Sequence, residues 1–89
     1  MAAGCLLAAP LGSPATEPPE DCGRTTVGGK RYQVKVDQIR CSTGLRHARR
    51  YLATGARPSG YRCRTYPSRR NRVRFYCSSD RRVFFAIRR

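Results

Sequence analysis

Residues 41–55, with the sequence CSTGLRHARRYLATG, predict an amphipathic α-helix in this chain of 89 residues. Apolar residues recur there at spacings of four, three and four, which places them on one face of a helix. They are Cys41, Leu45, Ala48 and Leu52. The outer face then carries polar residues that should point to solvent, namely Arg46, His47, Arg49 and Arg50.

Both ends of this helix are marked by residues with known capping preferences. Ser42 or Thr43 is expected to be the N-cap, where a side-chain oxygen accepts a hydrogen bond from a first-turn N–H. Gly55 stands where helices commonly end in the left-handed conformation, and Pro58 prevents continuation of the helix.

Four segments around the helix show the two-residue alternation of β-strands, at 31–36, 60–65, 72–77 and 82–87. The clearest is 72–77, in which arginines alternate with apolar residues. Residues 78–81 are predicted to form a turn, since serine and aspartate side chains bond to their own backbone. The sequence therefore predicts an α+β fold, one helix packed on a small antiparallel sheet in the order β-α-β-β-β.

Composition divides the chain into three parts. Residues 1–15 have no charged side chain and place Ser13 and Ala15 at −3 and −1 of a cleavage site, which predicts a secretory signal peptide. This signal peptide is truncated, because no basic segment precedes the apolar run, and we expect the true start to lie upstream. Residues 16–21 are predicted to be a disordered acidic, proline-containing link, and residues 22–89 a single small basic domain.

Two other interpretations of the N-terminal segment stay open. Residues 2–5 fit a lipobox with Cys5 acylated, although the residues after Cys5 are apolar where polar ones are usual. Alternatively, residues 1–21 form a disordered tail rich in alanine and proline. No transmembrane segment is predicted, because no stretch approaches the ~20 apolar residues that span a bilayer.

Four cysteines lie in the basic domain, at positions 22, 41, 63 and 77. An even number in a short chain with an export signal predicts two disulfides, which also compensate for a thin core. A zinc site is the rival, but these cysteines lack the close pairs that structural zinc usually takes. Of the three possible pairings, we expect Cys41 to bond Cys63 or Cys77 and Cys22 to bond the other. No metal or cofactor is predicted.

No constellation typical of catalysis stands out. His47 is the only histidine, and its helical neighbours at three and four residues include no acidic orienter. Asp37 and Asp80 do not form the carboxylate pair of acid–base hydrolysis, and Gly28-Gly29 is more typical of a turn than of a phosphate loop. The sequence therefore predicts a protein that is not an enzyme.

Positive charge is the strongest remaining signal. Lysine and arginine number 19 against 5 acidic residues, and residues 24–89 hold all 19 but only two of the acids, a net charge of +17. Such a field attracts polyanions through counterion release, and guanidinium groups bind phosphates and carboxylates bidentately. We expect polyanion binding by arginines of the helix, the strands and the hairpin loop, namely Arg46, Arg49, Arg50, Arg62, Arg64, Arg69, Arg70, Arg72 and Arg74.

Aromatic residues are interleaved with these arginines. Tyr61, Tyr66 and Tyr76 offer rings on which nucleic-acid bases can stack. A neutral explanation also stays open, because 17 arginines against 2 lysines are typical of a GC-rich genome and a soluble surface has to carry charge.

The body of the chain resembles a group of small secreted proteins from actinobacteria that have no settled function. The resemblance rests on Cys22-Gly23, the helix around Ala48-Arg49-Arg50 and the cysteine-bearing strands at 60–64 and 73–77. Those proteins look like exported domains with a C-x-x-A-R helix. This chain differs from their pattern in having Gly44 near the start of the helix. The resemblance implies an extracellular or cell-envelope location and a monomeric disulfide domain, and it supplies no catalytic residue.

Three functions stay open on these observations. The first is a secreted, non-enzymatic, disulfide-stabilised basic domain that binds anionic envelope polymers, membrane surfaces or a protein partner. The alternative is an intracellular nucleic-acid-binding module that uses its arginine-rich surface. The third is a cationic antimicrobial or inhibitor protein.

Overall fold

A computed structural model of the protein describes residues 18–89. Their elements are β1 (Glu20–Val27), β2 (Lys30–Asp37), α1 (Cys41–Thr54), β3 (Arg62–Thr65), β4 (Val73–Ser79) and β5 (Arg82–Arg88). The five strands form one antiparallel sheet in the order β1-β2-β5-β4-β3. The α+β class, with one helix on a small antiparallel disulfide-bonded sheet, is confirmed. The signal peptide and Cys5 lie outside the described residues.

The sheet has one strand more than the sequence predicts. Glu20 and Asp21, which the sequence placed in the disordered link, are the first residues of β1 and pair with Val36 and Lys35 of β2. This strand is hard to recognise because its residues are mostly polar and exposed, and it is also interrupted by a bulge between Asp21 and Arg24. Pairing with β2, rather than its own periodicity, makes it a strand.

The core lies between α1 and one face of the sheet. Its buried side chains alternate along the three central strands, as expected for a sheet covered on one face. The core consists of Ala48 of α1 and seven strand residues, namely Tyr32, Val34, Val36, Phe75, Cys77, Phe84 and Ala86. Ala48 and Gly44 are the buried positions of the helix, while Leu45 and Leu52 are half-buried. The predicted apolar face is thus close to the observed one, with Gly44 added to it.

The predicted end of the helix is confirmed, and the predicted start is wrong. Gly55 adopts a φ of 79°, and its N–H donates to the Tyr51 carbonyl at 2.8 Å. The helix begins at Cys41, so Arg40 holds the N-cap position and makes no side-chain capping bond. Neither Ser42 nor Thr43 is the cap, because the helix starts two or three residues earlier than either cap would place it, at the cysteine that is bonded to β1.

Two disulfides are present, but their pairing differs from the one expected. Cys22 of β1 bonds Cys41 of α1, and Cys63 of β3 bonds Cys77 of β4, with Cα–Cα distances of 5.2 and 4.0 Å. Cys63 and Cys77 are direct cross-strand partners. Cys41 therefore bonds the remaining cysteine, Cys22, on the edge strand β1. The expectation that Cys41 bonds Cys63 or Cys77 is wrong because β1, which carries Cys22 to the start of α1, has no signal in the sequence.

Candidate anion-binding cleft and open sheet face

One end of the sheet carries a cleft of about 320 Å³ with a strongly basic lining. It lies where the turn between β1 and β2, the end of β5 and the segment between β3 and β4 meet. Six of its nine lining residues are basic, and none is aspartate or glutamate; the nine are Gly29, Lys30, Arg31, Tyr32, Pro67, Arg69, Arg74, Arg88 and Arg89. Such a concentration of like charge favours binding of an anion.

A two-glycine turn brings the first pair of basic residues to this cleft. Gly28 and Gly29 have φ of 60° and 77°, the left-handed conformations of a tight hairpin turn, so the expected turn is confirmed. The turn places Lys30 and Arg31 at the start of β2. There the Arg31 carbonyl accepts a hydrogen bond from the Arg89 N–H at 3.2 Å, which sets Arg89 beside Arg31.

Arg88 holds the segment that supplies the other side of the cleft. Its guanidinium donates to three backbone carbonyls of the stretch between β3 and β4, at 2.6 Å to Tyr66, 3.2 Å to Pro67 and 2.6 Å to Asn71, and to the carbonyl of Val73 at the start of β4, at 3.1 Å. Burial lowers the pKa of Arg88, and the nearby positive charges of Arg74 and Arg69 lower it further. Arg88 is therefore a structural residue that positions its basic neighbours.

The predicted polyanion-binding arginines are divided among three surfaces. Arg69 and Arg74 line the cleft, and Arg70 and Arg72 are exposed beside it. Arg62 and Arg64 are exposed on the edge strand β3, whereas the helix arginines project from α1 on the other side of the molecule; these are Arg46, Arg49 and Arg50. The structure thus brings together two of the nine in the cleft.

The other four basic residues of the cleft are not among the arginines that the sequence predicts to bind polyanions. Lys30, Arg31, Arg88 and Arg89 stand as adjacent basic pairs at the start of β2 and the end of β5. These strands are neighbours in the sheet and antiparallel, so the two pairs meet at one sheet end. The sequence shows the two basic pairs, but only the strand order shows that they lie together at one end of the sheet.

His47 does not point to solvent as expected. It is half-buried, and its ring lies 5.5 Å from the ring of Phe84 and 5.9 Å from that of Tyr61, measured between centroids. Burial lowers the pKa of His47, and the positive charges of Arg46 and Arg50 act in the same direction. The histidine therefore belongs to the packing between helix and sheet.

Among residues 18–89, no element covers the second face of the sheet, which we call the open face. Within residues 18–89 the one helix covers the face that carries Val36 and Phe84, so the alternate residues of each strand point away from it. Tyr76 is the large apolar side chain most exposed there, at 41%. Of the three interleaved tyrosines only Tyr76 is exposed; Tyr61 and Tyr66 are half-buried and each lies under an arginine, Arg82 and Arg64 respectively.

The described part of the chain has neither a cluster of metal-ligating residues nor a membrane-spanning helix. Residues 18–89 contain no group of three or more His, Cys, Asp or Glu that could hold a metal ion. No helix among them has the length and apolar character needed to cross a bilayer. Two disulfides in so small a domain are typical of proteins that fold in an oxidising environment, which points to a location outside the cytosol.

Comparison with protein-family models, curated proteins and solved structures found no match for this chain. The function is therefore inferred from the cleft and the open face themselves.

Proposed function

We propose that the protein is an exported, non-enzymatic domain that binds anionic polymers of the cell envelope or its surroundings through the basic cleft. The observation that carries this proposal is the cleft lining of six basic residues without an acidic one. The repulsion among these charges is relieved when an anion binds, and each neutralised anionic group releases counterions. Export agrees with the two disulfides, with the predicted signal peptide and with the resemblance to small secreted proteins.

The exposed arginines of the cleft can reach a ligand, whereas Arg88 is held by backbone carbonyls. Two carboxylates of the sheet take their hydrogen bonds from other groups: Asp21 accepts from the Gly23 N–H and the Gln33 amide, and Asp37 accepts from the Gln38 amide. The Gly23 N–H chiefly lowers the pKa of Asp21, and the charges of Lys35 and Arg89 lower it further, so Asp21 offsets part of the Arg89 charge. Arg31, Arg69 and Arg89 are exposed around the cleft, so an anion reaches them without displacing a protein group. An intracellular nucleic-acid-binding module, the alternative, is less well supported because disulfides are rare in cytosolic proteins.

Polyphosphate is the probe of choice, because it supplies charge without aromatic rings. Its affinity is measured at several salt concentrations for the wild type and for R31Q/R69Q/R89Q. We expect the slope of log K against log salt to become shallower by about 2, since three phosphate contacts of about 0.7–0.9 each are removed. The matched control, R46Q/R49Q/R50Q, removes the same charge from the outer side of α1 and should leave most of the slope in place.

Equal losses in the two triple variants would show that net charge alone, rather than the cleft, attracts polyphosphate. Export is tested separately by the intact mass of the secreted protein, alkylated with and without reduction. A chain that begins near residue 16 and is alkylated only after reduction is expected. A full-length chain with immediately reactive thiols would contradict export.

A further inference from the structure

The open face carries a row of four side chains that run across four neighbouring strands. Lys35 of β2 pairs with Phe85 of β5, Phe85 pairs with Tyr76 of β4, and Tyr76 pairs with Arg64 of β3. Directly paired residues lie on the same face of a sheet, so the two aromatic rings stand side by side with a cation on either side of them. On β1, beyond Lys35, Asp21 is the direct partner of Lys35. The ring centroids of Tyr76 and Phe85 are 5.7 Å apart, and the rings are inclined by 30°.

The surroundings of this row are apolar in the middle, mixed in charge on the side of β1 and β2, and basic along β3. Val83 and Ile87 flank Phe85 along β5, since alternate residues of one strand share a face. Arg62 lies on the same face of β3 and Arg24 on that of β1. The acidic residues of this face are Asp21 and Asp37, both on the far side of β5 from Arg64. The margin formed by β3 is therefore purely cationic on this face.

We propose that the open face binds single-stranded nucleic acid, with bases stacked on Tyr76 and Phe85 and the backbone phosphates paired with Arg64 and Lys35. Base stacking on aromatic residues in a positively charged groove is the general chemistry of single-strand binding. Every base offers a flat π face, so such a site tolerates any sequence. A duplex keeps these faces inside its own stack and is excluded. The proposal concerns a different surface from the cleft and stands without it.

Two features favour a base over other occupants of the face. The centre of the row offers apolar carbon and one phenol hydroxyl, which matches a base face better than the hydroxyls of a sugar, whose hydrogen bonds with water would be lost. The cations stand at the ends of the row, about 14 Å apart for three strand spacings of ~4.8 Å, where a strand crossing the sheet would leave its phosphates. An uncharged surface of a partner protein would make no favourable contact with these two cations.

Tyr76→Trp provides a direct probe, because the chain contains no tryptophan. Tyr76 is already exposed, so a larger ring is accommodated there. We expect a ten-residue oligothymidine to quench this fluorescence by stacking, and polyphosphate to leave it unchanged. In the matched control, Ala53→Trp, the only tryptophan lies on an exposed position of α1 on the other side of the sheet, and oligothymidine should not quench it.

Affinity measurements separate this face from the cleft. Tyr76→Ala is expected to weaken oligothymidine binding about tenfold or more, since one stacking contact contributes ~1–3 kcal/mol. Its polyphosphate affinity should equal that of the wild type. The cleft variant R31Q/R69Q/R89Q should keep the oligothymidine quenching of Tyr76→Trp at low salt, so the failure of one site is distinguishable from the failure of the other.

Three results would overturn the proposal. The first is equal quenching of Tyr76→Trp by polyphosphate and oligothymidine, and the second is equal affinity for single-stranded and duplex DNA. The third is a tryptophan emission that shifts to the blue with protein concentration while the sedimentation coefficient rises. That result would show that a second copy of the chain covers the face.

Discussion

Gly44 of α1 lies against Val36 of β2 so closely that a Cβ on Gly44 would overlap the Val36 Cγ1, and it would also stand 3.4 Å from the Ile39 Cδ1. Because Val36 is fully buried at the centre of the core, it has no space into which to move. This contact sets how closely the helix approaches the sheet, and it explains a glycine in the interior of a 14-residue helix, where alanine is otherwise preferred.

Gly44→Ala is therefore expected to destabilise the protein. Overpacking costs about 1–3 kcal/mol, which exceeds the ~1 kcal/mol that alanine contributes through helix propensity. Urea unfolding should show a lower midpoint, whereas Ser42→Ala, at an exposed site in the same helix, should change stability by less than about 0.5 kcal/mol. A more stable Gly44→Ala variant would contradict the close contact.

Arg88→Met should loosen the segment between β3 and β4. Its guanidinium donates four hydrogen bonds to backbone carbonyls of residues 66–73, two of them partly buried and two exposed. Hydrogen bonds of charged groups contribute about 1.5–3 kcal/mol each, and less where water reaches them. We expect a loss of at least about 2 kcal/mol in the free energy of unfolding, together with faster hydrogen exchange across 66–73. Arg89→Met, which removes the same charge from an exposed neighbour, is the control and should have little effect.

Removal of the Cys22–Cys41 disulfide by a double serine substitution should release the edge strand β1. A crosslink that closes a loop of this size stabilises by about 3 kcal/mol, mainly by restricting the unfolded chain. Amides of 20–27 are expected to exchange faster, while those of the central strands β4 and β5 stay protected in the native state. Digestion of the unreduced wild-type protein should yield Cys22 linked to Cys41, and a peptide joining Cys22 to Cys63 or Cys77 would contradict the fold.

The protein should lose stability on acidification because of His47. Burial lowers the pKa of folded His47 below its ordinary value of 6.5, so the unfolded chain binds the proton first as the pH falls. The stability that is present above about pH 6.5 is then lost progressively between 6.5 and the lower folded pKa. Thermal unfolding at pH 7.5 and pH 5 should show this loss, and His47→Gln should reduce the difference. An NMR titration with a midpoint above 6.5 would refute the assignment.

Local periodicity determined much of this fold from the sequence alone. The spacing of Leu45, Ala48 and Leu52 predicts the helix, and Gly55 marks its end because few other residues adopt a positive φ at low cost. Strands β2, β4 and β5 alternate strongly enough to be recognised, and the even number of cysteines predicts two disulfides. The periodicities and the helix end depend on neighbours along the chain, and the disulfides on the number of cysteines, so none of these signals needs tertiary information.

Tertiary structure decided β1, the pairing of the cysteines and both candidate sites. A polar edge strand has no periodicity of its own and exists because β2 offers it a ladder of hydrogen bonds. Lys30 and Arg89 meet because their strands are adjacent and antiparallel, although almost the whole domain separates them in sequence. Phe84 and Phe85 are indistinguishable in the sequence, and only the side on which the helix packs buries Phe84 and leaves Phe85 on the open face.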